Sequence, residues 1–397
     1  MGDLDLESAK DRVTAEVDRR SDFLLEVSRR LHERPELLFE EHHAAGLVAD
    51  SLEDAGLAVT RAAYGLETAV VAHTGGDEPG ADTVAVLCEY DALPRIGHAC
   101  GHNIIAAAGL GAGLAAAAVA GDAGGRLAVL GTPAEEGGGG KVLMGDRGAF
   151  DGVAAAMMVH PGGLDLTEPD VIAVASLRVT YRGRGAHAAA YPEQGRNALD
   201  AAVLGYPAVA ALRQHIASND RVHGVFSEAG EKPNIVPDRA VAEWYVRSAT
   251  IASLQPLKQR VLACLEAGAR ASGCTMEWEA TAPEYSDLRT NRPLVDLYGD
   301  NSARLGRPLE EPRPGRRIMA STDMGNVSYL VPSIHPMMAV SPPQVPLHSG
   351  EFADWAAGPG GDRAVLDGAK AIAPPAVDLW LRPGALAEVR AAFDAGP

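Results

Sequence analysis

The chain has 397 residues, 47% of them apolar, enough for two packed cores, and its four cysteines at 88, 100, 264 and 274 are too scattered for a disulfide framework. A formal net charge of −18 argues against nucleic-acid and membrane partners, because gripping phosphates needs a surplus of Lys and Arg on one face. The charged opening "MGDLDLESAKDRVTAEVDRR" lacks the apolar core of a secretory leader, so the expected location is cytoplasmic.

In chain order, residues 21–57 carry helical spacing. Phe23, Leu24, Val27 and Leu31 form one stripe, "ERPEL" interrupts, and a second helix runs from about Glu40 to Ala55. Strand-like runs follow at "TAVVAH" (68–73) and "TVAVLCEYD" (83–91). The Ala-rich stretch Ile104–Ala120 is broken by Gly109, Gly111 and Gly113 and has few large side chains, so it reads as a packed helix rather than a membrane span. "RLAVLGTP" (126–133) and "VAAAMMVHPG" (153–162) repeat the strand pattern. Strands alternating with helices predict an α/β domain: a mainly parallel sheet with helices on both faces.

From about Val171 the texture changes. "VIAVASLRVTYRG" alternates as a strand; a helix around Asn197–Ser218, strands near Val222–Glu228 and Ala240–Ser248, a helix at Leu254–Ala271 and a strand at Thr275–Ala280 follow. The order β-α-β-β-α-β predicts an inserted, four-stranded, ferredoxin-like α+β domain. The expected division is 1–172 with 286–397 for the discontinuous first domain and 173–285 for the insert. "STDMGNVSYLVPSIHPMMAV" returns to the first sheet as a loop and strand.

Three apolar runs each end in a polar turn: "VAVLCEYDALPRIGHACGHN", "LAVLGTPAEEGGGG" and "AAAMMVHPG". In a parallel sheet the carboxyl ends of the strands lie together, so Asp91, His98, Cys100, His102, Glu135, Glu136 and His160 should converge. Taken singly, each has an ordinary explanation: a buried thiol, one face of a helix start, a solvated acidic pair, a capped core histidine. Together, Cys, His and Glu at equivalent strand ends are metal-site chemistry. A phosphate-cradling loop at "EEGGGGKV" is excluded by pattern, since Glu135 stands where the first glycine belongs and Val142 follows Lys141.

"DALPRIGHACGHN", "GTPAEEGGGGK", "MMVHP", "GRGAHAAAYPEQGRNALDAAV", "NIVPD" and "PLHSGEFA" together resemble the aminoacylase and amidohydrolase family of metallopeptidases. That family includes indole-acetyl-amino-acid hydrolases, aminobenzoyl-glutamate hydrolase subunits and aminoacylase-like dipeptidases. Asn103, where the first of these branches carries Asp, leans toward the dipeptidase branch; Arg95 departs from it.

The resemblance implies one or two divalent ions (Zn, Mn, Co or Ni) held by Cys100, His102, Glu136, His160 and His348, with Cys100 as a bridging thiolate. It implies Glu135 as general base, Asp91 and His98 as supporting residues behind the ligands, and a lid domain through which a homodimer or higher homo-oligomer forms. In that lid His187 would stabilise the oxyanion, and Asn234 and Arg247 would grip the substrate. The implied activity is hydrolysis of a small amide: an N-acyl amino acid, a dipeptide or an aminobenzoyl-glutamate-like compound. The alternative is a metal-binding homologue without turnover, serving in a binding or scaffold role; the presence of every expected ligand and the base argues against it.

Overall fold

The computed structural model describes residues 4–74, 82–311 and 319–396. They form two units, Met1–Asp170 with Leu288–Pro397, and Val171–Asp287.

The first unit begins with three helices, α1 (Leu6–Arg19), α2 (Ser21–Glu33) and α3 (His42–Asp54). On α2 the buried stripe is Leu24, Val27, Ser28 and Leu31, whereas Phe23 is exposed, one helical position off the face that packs. Strands β1 (Ala58–Arg61), β2 (Val70–His73) and β3 (Thr83–Glu89) lead to α4 (His102–Ala120), then β4 (Arg126–Thr132), α5 (Gly140–Gly145), β5 (Val153–Met157), β6 (His160–Gly162) and β7 (Asp170–Val171). The run expected as one strand at 153–162 is thus two, broken at Met158 and Val159.

Within the second unit come β8 (Ala173–Arg182), α6 (Ala198–Leu212), β9 (Arg221–Glu228), β10 (Arg239–Ser248), α7 (Ile251–Ala271) and β11 (Thr275–Ala280). The chain returns through α8 (Arg292–Arg304), β12 (Met319–Ala320), α9 (Met324–Leu330), β13 (Ser333–Ile334), β14 (Met337–Ala339), α10 (Gly350–Ala356), α11 (Pro359–Leu381) and α12 (Ala385–Asp394). Part of the expected 321–340 loop is therefore the short helix α9.

The large sheet has the order β1-β2-β4-β3-β5-β13. β4, β3, β5 and β13 run parallel, while β1 and β2 pair antiparallel at one edge. Alternation sends the side chains to two cores. Val84, Val86 and Cys88 of β3 join the larger core with α1–α4, α8 and α11, whereas Ala85 and Leu87 join the other with Met144, Phe150, Met324 and Val327. Both sheet faces are covered, as the near-continuous apolar strands require. Helix α4 is long and apolar enough to cross a bilayer, but it is buried against β3, β4, α1, α2 and α11.

The second unit is a four-stranded antiparallel sheet in the order β11-β8-β10-β9. Leu177, Val179 and Tyr181 of β8 and Ala242, Trp244 and Val246 of β10 face α6 and α7, whose starts are capped by Asn197 and Thr250. The sheet's other face carries Arg178, Arg182, Glu243, Glu277 and Glu279. The α/β class with a separate ferredoxin-like sheet is as the sequence predicts.

Candidate metal centre and active site

Three turns at the carboxyl ends of β3, β4 and β5 deliver the polar groups of the first unit. After β3 the chain bends through Gly101, whose φ of 80° starts α4; a Cβ there would lie 2.5 Å from Pro161, so only glycine fits. This places Cys100 in the turn and His102 on the first turn of the helix. The His102 Nδ1–H donates to Asp91 Oδ1 at 3.0 Å, which orients the ring and aims Nε2 into the pocket; against the effect of burial, the Asp91 carboxylate raises His102 well above its ordinary value, so a cation must displace the Nε2 proton. Asp91 Oδ2 accepts from the Glu136 N–H at 2.9 Å, so one carboxylate orients both the histidine and the glutamate loop.

After β4 the chain passes through Ala134 at a positive φ of 56°, its N–H donating to buried Glu41 Oε1 at 2.8 Å. Glu135 and Glu136 follow. The glycine run then makes a tight turn: a Cβ at Gly140 would stand 1.8 Å from the Pro133 carbonyl oxygen. Gly138, where a Cβ would stand 2.6 Å from Ala134 and Phe39, and Gly140 are thus steric requirements of the loop that presents the two glutamates.

Beyond β5, His160 opens β6, its backbone N–H bonded to Pro336 O at 2.9 Å and its Nδ1–H to Pro161 O at 2.8 Å. Its Nε2 lies 3.5 Å from Cys100 Sγ, and the buried His335 ring stacks on it with centroids 5.3 Å apart. His348, held at a positive φ of 61° by its N–H bond to Ala99 O, brings Nε2 to 3.3 Å from Cys100 Sγ and 3.5 Å from Glu136 Oε1.

The ligand atoms fall into three overlapping groups, each within 4.8 Å: Cys100, His102 and His160; Cys100, Glu136 and His348; Glu89, His102 and Glu135. These residues form a candidate mono- or dinuclear divalent metal site. His102 Nε2 and Glu136 Oε1 are buried without a hydrogen-bond partner among the described residues, a costly arrangement that a cation would relieve. The thiolate, imidazole and carboxylate donors suit Zn, Co, Ni or Mn.

The electrostatics point the same way. Burial, reinforced by the Glu136 carboxylate, raises the Cys100 thiol well above its ordinary value, so its thiolate needs a cation beside it. Burial brings His160 down to about 4, which leaves the neutral imidazole that a metal requires. The two glutamates are driven apart. Burial and the Glu89 and Glu136 carboxylates push Glu135 well above the carboxylate range; at Glu136, burial is outweighed by the His348 contact and the His102 charge, which hold it low.

His98 lies buried beside His32, ring centroids 6.1 Å apart, and burial depresses it to about 3. In the second unit, His187 and Asn234 are exposed neighbours, joined by the Ala188 N–H bond to Asn234 O at 3.0 Å. Arg247 sits half-buried on β10 with its guanidinium 5.6 Å from the Tyr245 ring centroid.

Sequence reasoning missed Glu89, Lys141 and Asp323, all fully buried beside these ligands. It also missed Glu41 and His335. The strand period offered one signal: Ala85, Leu87 and Glu89 share a face of β3, and Glu89 is the last residue before the turn.

A sequence profile of peptidase family M20/M25/M40 matches residues 82–355, a span that holds all five expected ligands, both glutamates and the second unit. The chain belongs to this family. This M20 protein is 38% identical to the Xaa-Arg dipeptidase of Mus musculus over 98% of this chain and 93% of that one. It is 32% identical to a p-aminobenzoyl-glutamate hydrolase chain of Escherichia coli, over 75% of this chain and 65% of that one. Among solved structures, the aminobenzoyl-glutamate utilization protein of Klebsiella pneumoniae matches with a TM-score of 0.75 and 20% identity, covering 94% and 99% of the two chains. A dinuclear metal-binding M20 peptidase of Bacillus subtilis matches with a TM-score of 0.68 and 20% identity, covering 91% and 98%. With its ligand cluster, the M20 chain is a metal-dependent amidase or peptidase, a hydrolase of C–N amide bonds.

Proposed function

We propose that this enzyme hydrolyses small dipeptides, with a basic amino acid such as arginine on the leaving side. The observation that carries amide hydrolysis is the ligand cluster itself: Glu136 groups with Cys100 and His348, and its neighbour Glu135 with His102, so one carboxylate can hold an ion while the adjacent one faces water. The choice of a dipeptide draws on the near-full-length likeness to the Xaa-Arg dipeptidases of mouse and human. N-acyl amino acids and aminobenzoyl-glutamate-like amides are the neighbouring substrate classes.

In this reading Cys100, His102, Glu136, His160 and His348 hold one or two divalent ions, Zn or Mn foremost. When bound there, an ion would supply Lewis-acid chemistry, polarising the scissile carbonyl and acidifying water. Glu135 takes the proton of the attacking water and passes it to the leaving amine. Its raised proton affinity suits a group that must accept a proton and then give it back. Asp91 keeps His102 in the one tautomer that can serve as a ligand. We assign His187 to the oxyanion and Asn234 and Arg247 to the substrate, the second unit to lid and dimer formation, and the enzyme to the cytoplasm.

The test is a panel of dipeptides and N-acyl amino acids, assayed after metal stripping and reloading. The expected result is metal-dependent cleavage with the arginyl dipeptides fastest. Uniform inactivity with metal bound would defeat the reading and favour a binding or scaffold role.

A further inference from the structure

The ligand pocket is crowded with buried carboxylates. Glu89, Asp91, Glu135 and Asp323 are all at most 6% exposed. One buried ammonium answers them. Lys141, itself 0% exposed, places Nζ 2.5 Å from Glu89 Oε1 and 2.6 Å from Asp323 Oδ1, while its backbone N–H donates to Asp323 Oδ2 at 2.8 Å. It thereby ties together the end of β3, the first turn of α5 and the start of α9. The other buried lysine among the described residues, Lys10, is paired with Asp378.

Glu89 is divided between two neighbours. Its Oε1 lies 2.5 Å from the Lys141 ammonium as an ion pair, and Oε2 faces His102 Nε2 at 3.6 Å; neither oxygen has a hydrogen-bond partner among the described residues. Glu89, His102 and Glu135 also make one of the three ligand-like groups. An ion drawn fully into that group would take Glu135 as a ligand and silence it as a base. A carboxylate already neutralised by a buried ammonium is a poor competitor for a cation, because the ion must first displace or outweigh the existing pair.

We infer that Lys141 is a positioning residue that withholds Glu89 from metal coordination, so that Glu135 remains available to water. The inference rests on Glu135 being the base, as proposed above. It also explains why a lysine closes the "EEGGGGKV" run, since the glycines turn the loop so that this ammonium can reach back to β3.

Lys141→Met removes the clamp while keeping the length of the stem. Opposite movements are expected: Co²⁺ bound at least about tenfold more tightly by calorimetric titration, and kcat lower by about a hundredfold with KM within about threefold. Adding Glu89→Gln to Lys141→Met should return the Co²⁺ affinity to within about threefold of wild type. Asp323→Asn leaves the ammonium to Glu89 alone, so Co²⁺ should bind no more tightly than to wild type; this variant covers the case of a methionine variant that does not fold. Unchanged or weaker Co²⁺ binding in folded Lys141→Met, or tighter binding in Asp323→Asn, would overturn the inference, whatever the activity. Failure of the catalytic reading would show itself separately, as a wild-type enzyme that binds Co²⁺ but cleaves nothing in the panel.

Discussion

Two clusters of opposite charges show what burial does. On the open face of the second unit's sheet, Arg178 contacts Glu243 at 3.1 Å and Glu279 at 3.4 Å with its side chain 44% exposed. In the first unit Lys141 contacts Glu89 and Asp323 at 2.5 and 2.6 Å with nothing exposed. The residue types are alike, yet water screens the first set and is excluded from the second. The open-face pairs therefore make a soluble sheet surface. The enclosed charges can move proton affinities, hold a tautomer and bind a cation, and among the described residues the candidate ligand groups lie only there.

The enclosed cluster is most sensitive at Glu135. Glu135→Gln should lower kcat by about a thousandfold with metal content unchanged, read by turnover and elemental analysis; a variant of near wild-type activity would remove the base from the enclosed cluster.

Glu41 tests burial by itself. It is fully buried and is raised from 4.5 to about 7, chiefly by burial. Between those values the folded protein keeps a proton that the unfolded chain releases. Its contribution is thus complete below the unfolded value and is lost as pH rises through about 7. Glu41→Gln cannot ionise, so urea unfolding of wild type and variant should diverge on going from acid to about pH 8, by about 3 kcal/mol in the variant's favour. Parallel pH curves would show that this carboxylate is not held in a low-dielectric site.

The smallest effect belongs to the open face. Arg178→Ala should change stability by less than about 1 kcal/mol in the same unfolding assay, and a larger loss would mean that those pairs are not screened.

The elements and the strand-end convergence were legible because they rest on local pattern. Continuous apolar runs mark β3 and β4, alternation marks β8, and a ligand-rich turn follows each of the parallel strands β3, β4 and β5. The need for glycine between Cys100 and His102 emerged only from the structure, where Pro161 leaves no room for a Cβ. Lys141, Glu89 and Asp323 were not legible in the same way. A lysine after four glycines reads as solvated loop, and Glu89 reads as the polar end of a strand. Their burial depends on β3, α5 and α9 meeting, which are separated by tens to hundreds of residues. Phe23 erred for the reverse reason: it is apolar, but the packed face of α2 passes one position beside it.

A metal centre built on the turn after β3 is the central claim. The most direct measurement is bound metal and turnover, side by side, in Cys100→Ser and His98→Ala. Cys100 is within 3.5 Å of two histidine ligand atoms, whereas His98 packs beside His32 and belongs to none of the three ligand groups. Cys100→Ser should lose metal and activity together while His98→Ala keeps its metal. A Cys100→Ser protein with full metal content and full activity would contradict a centre built on this turn.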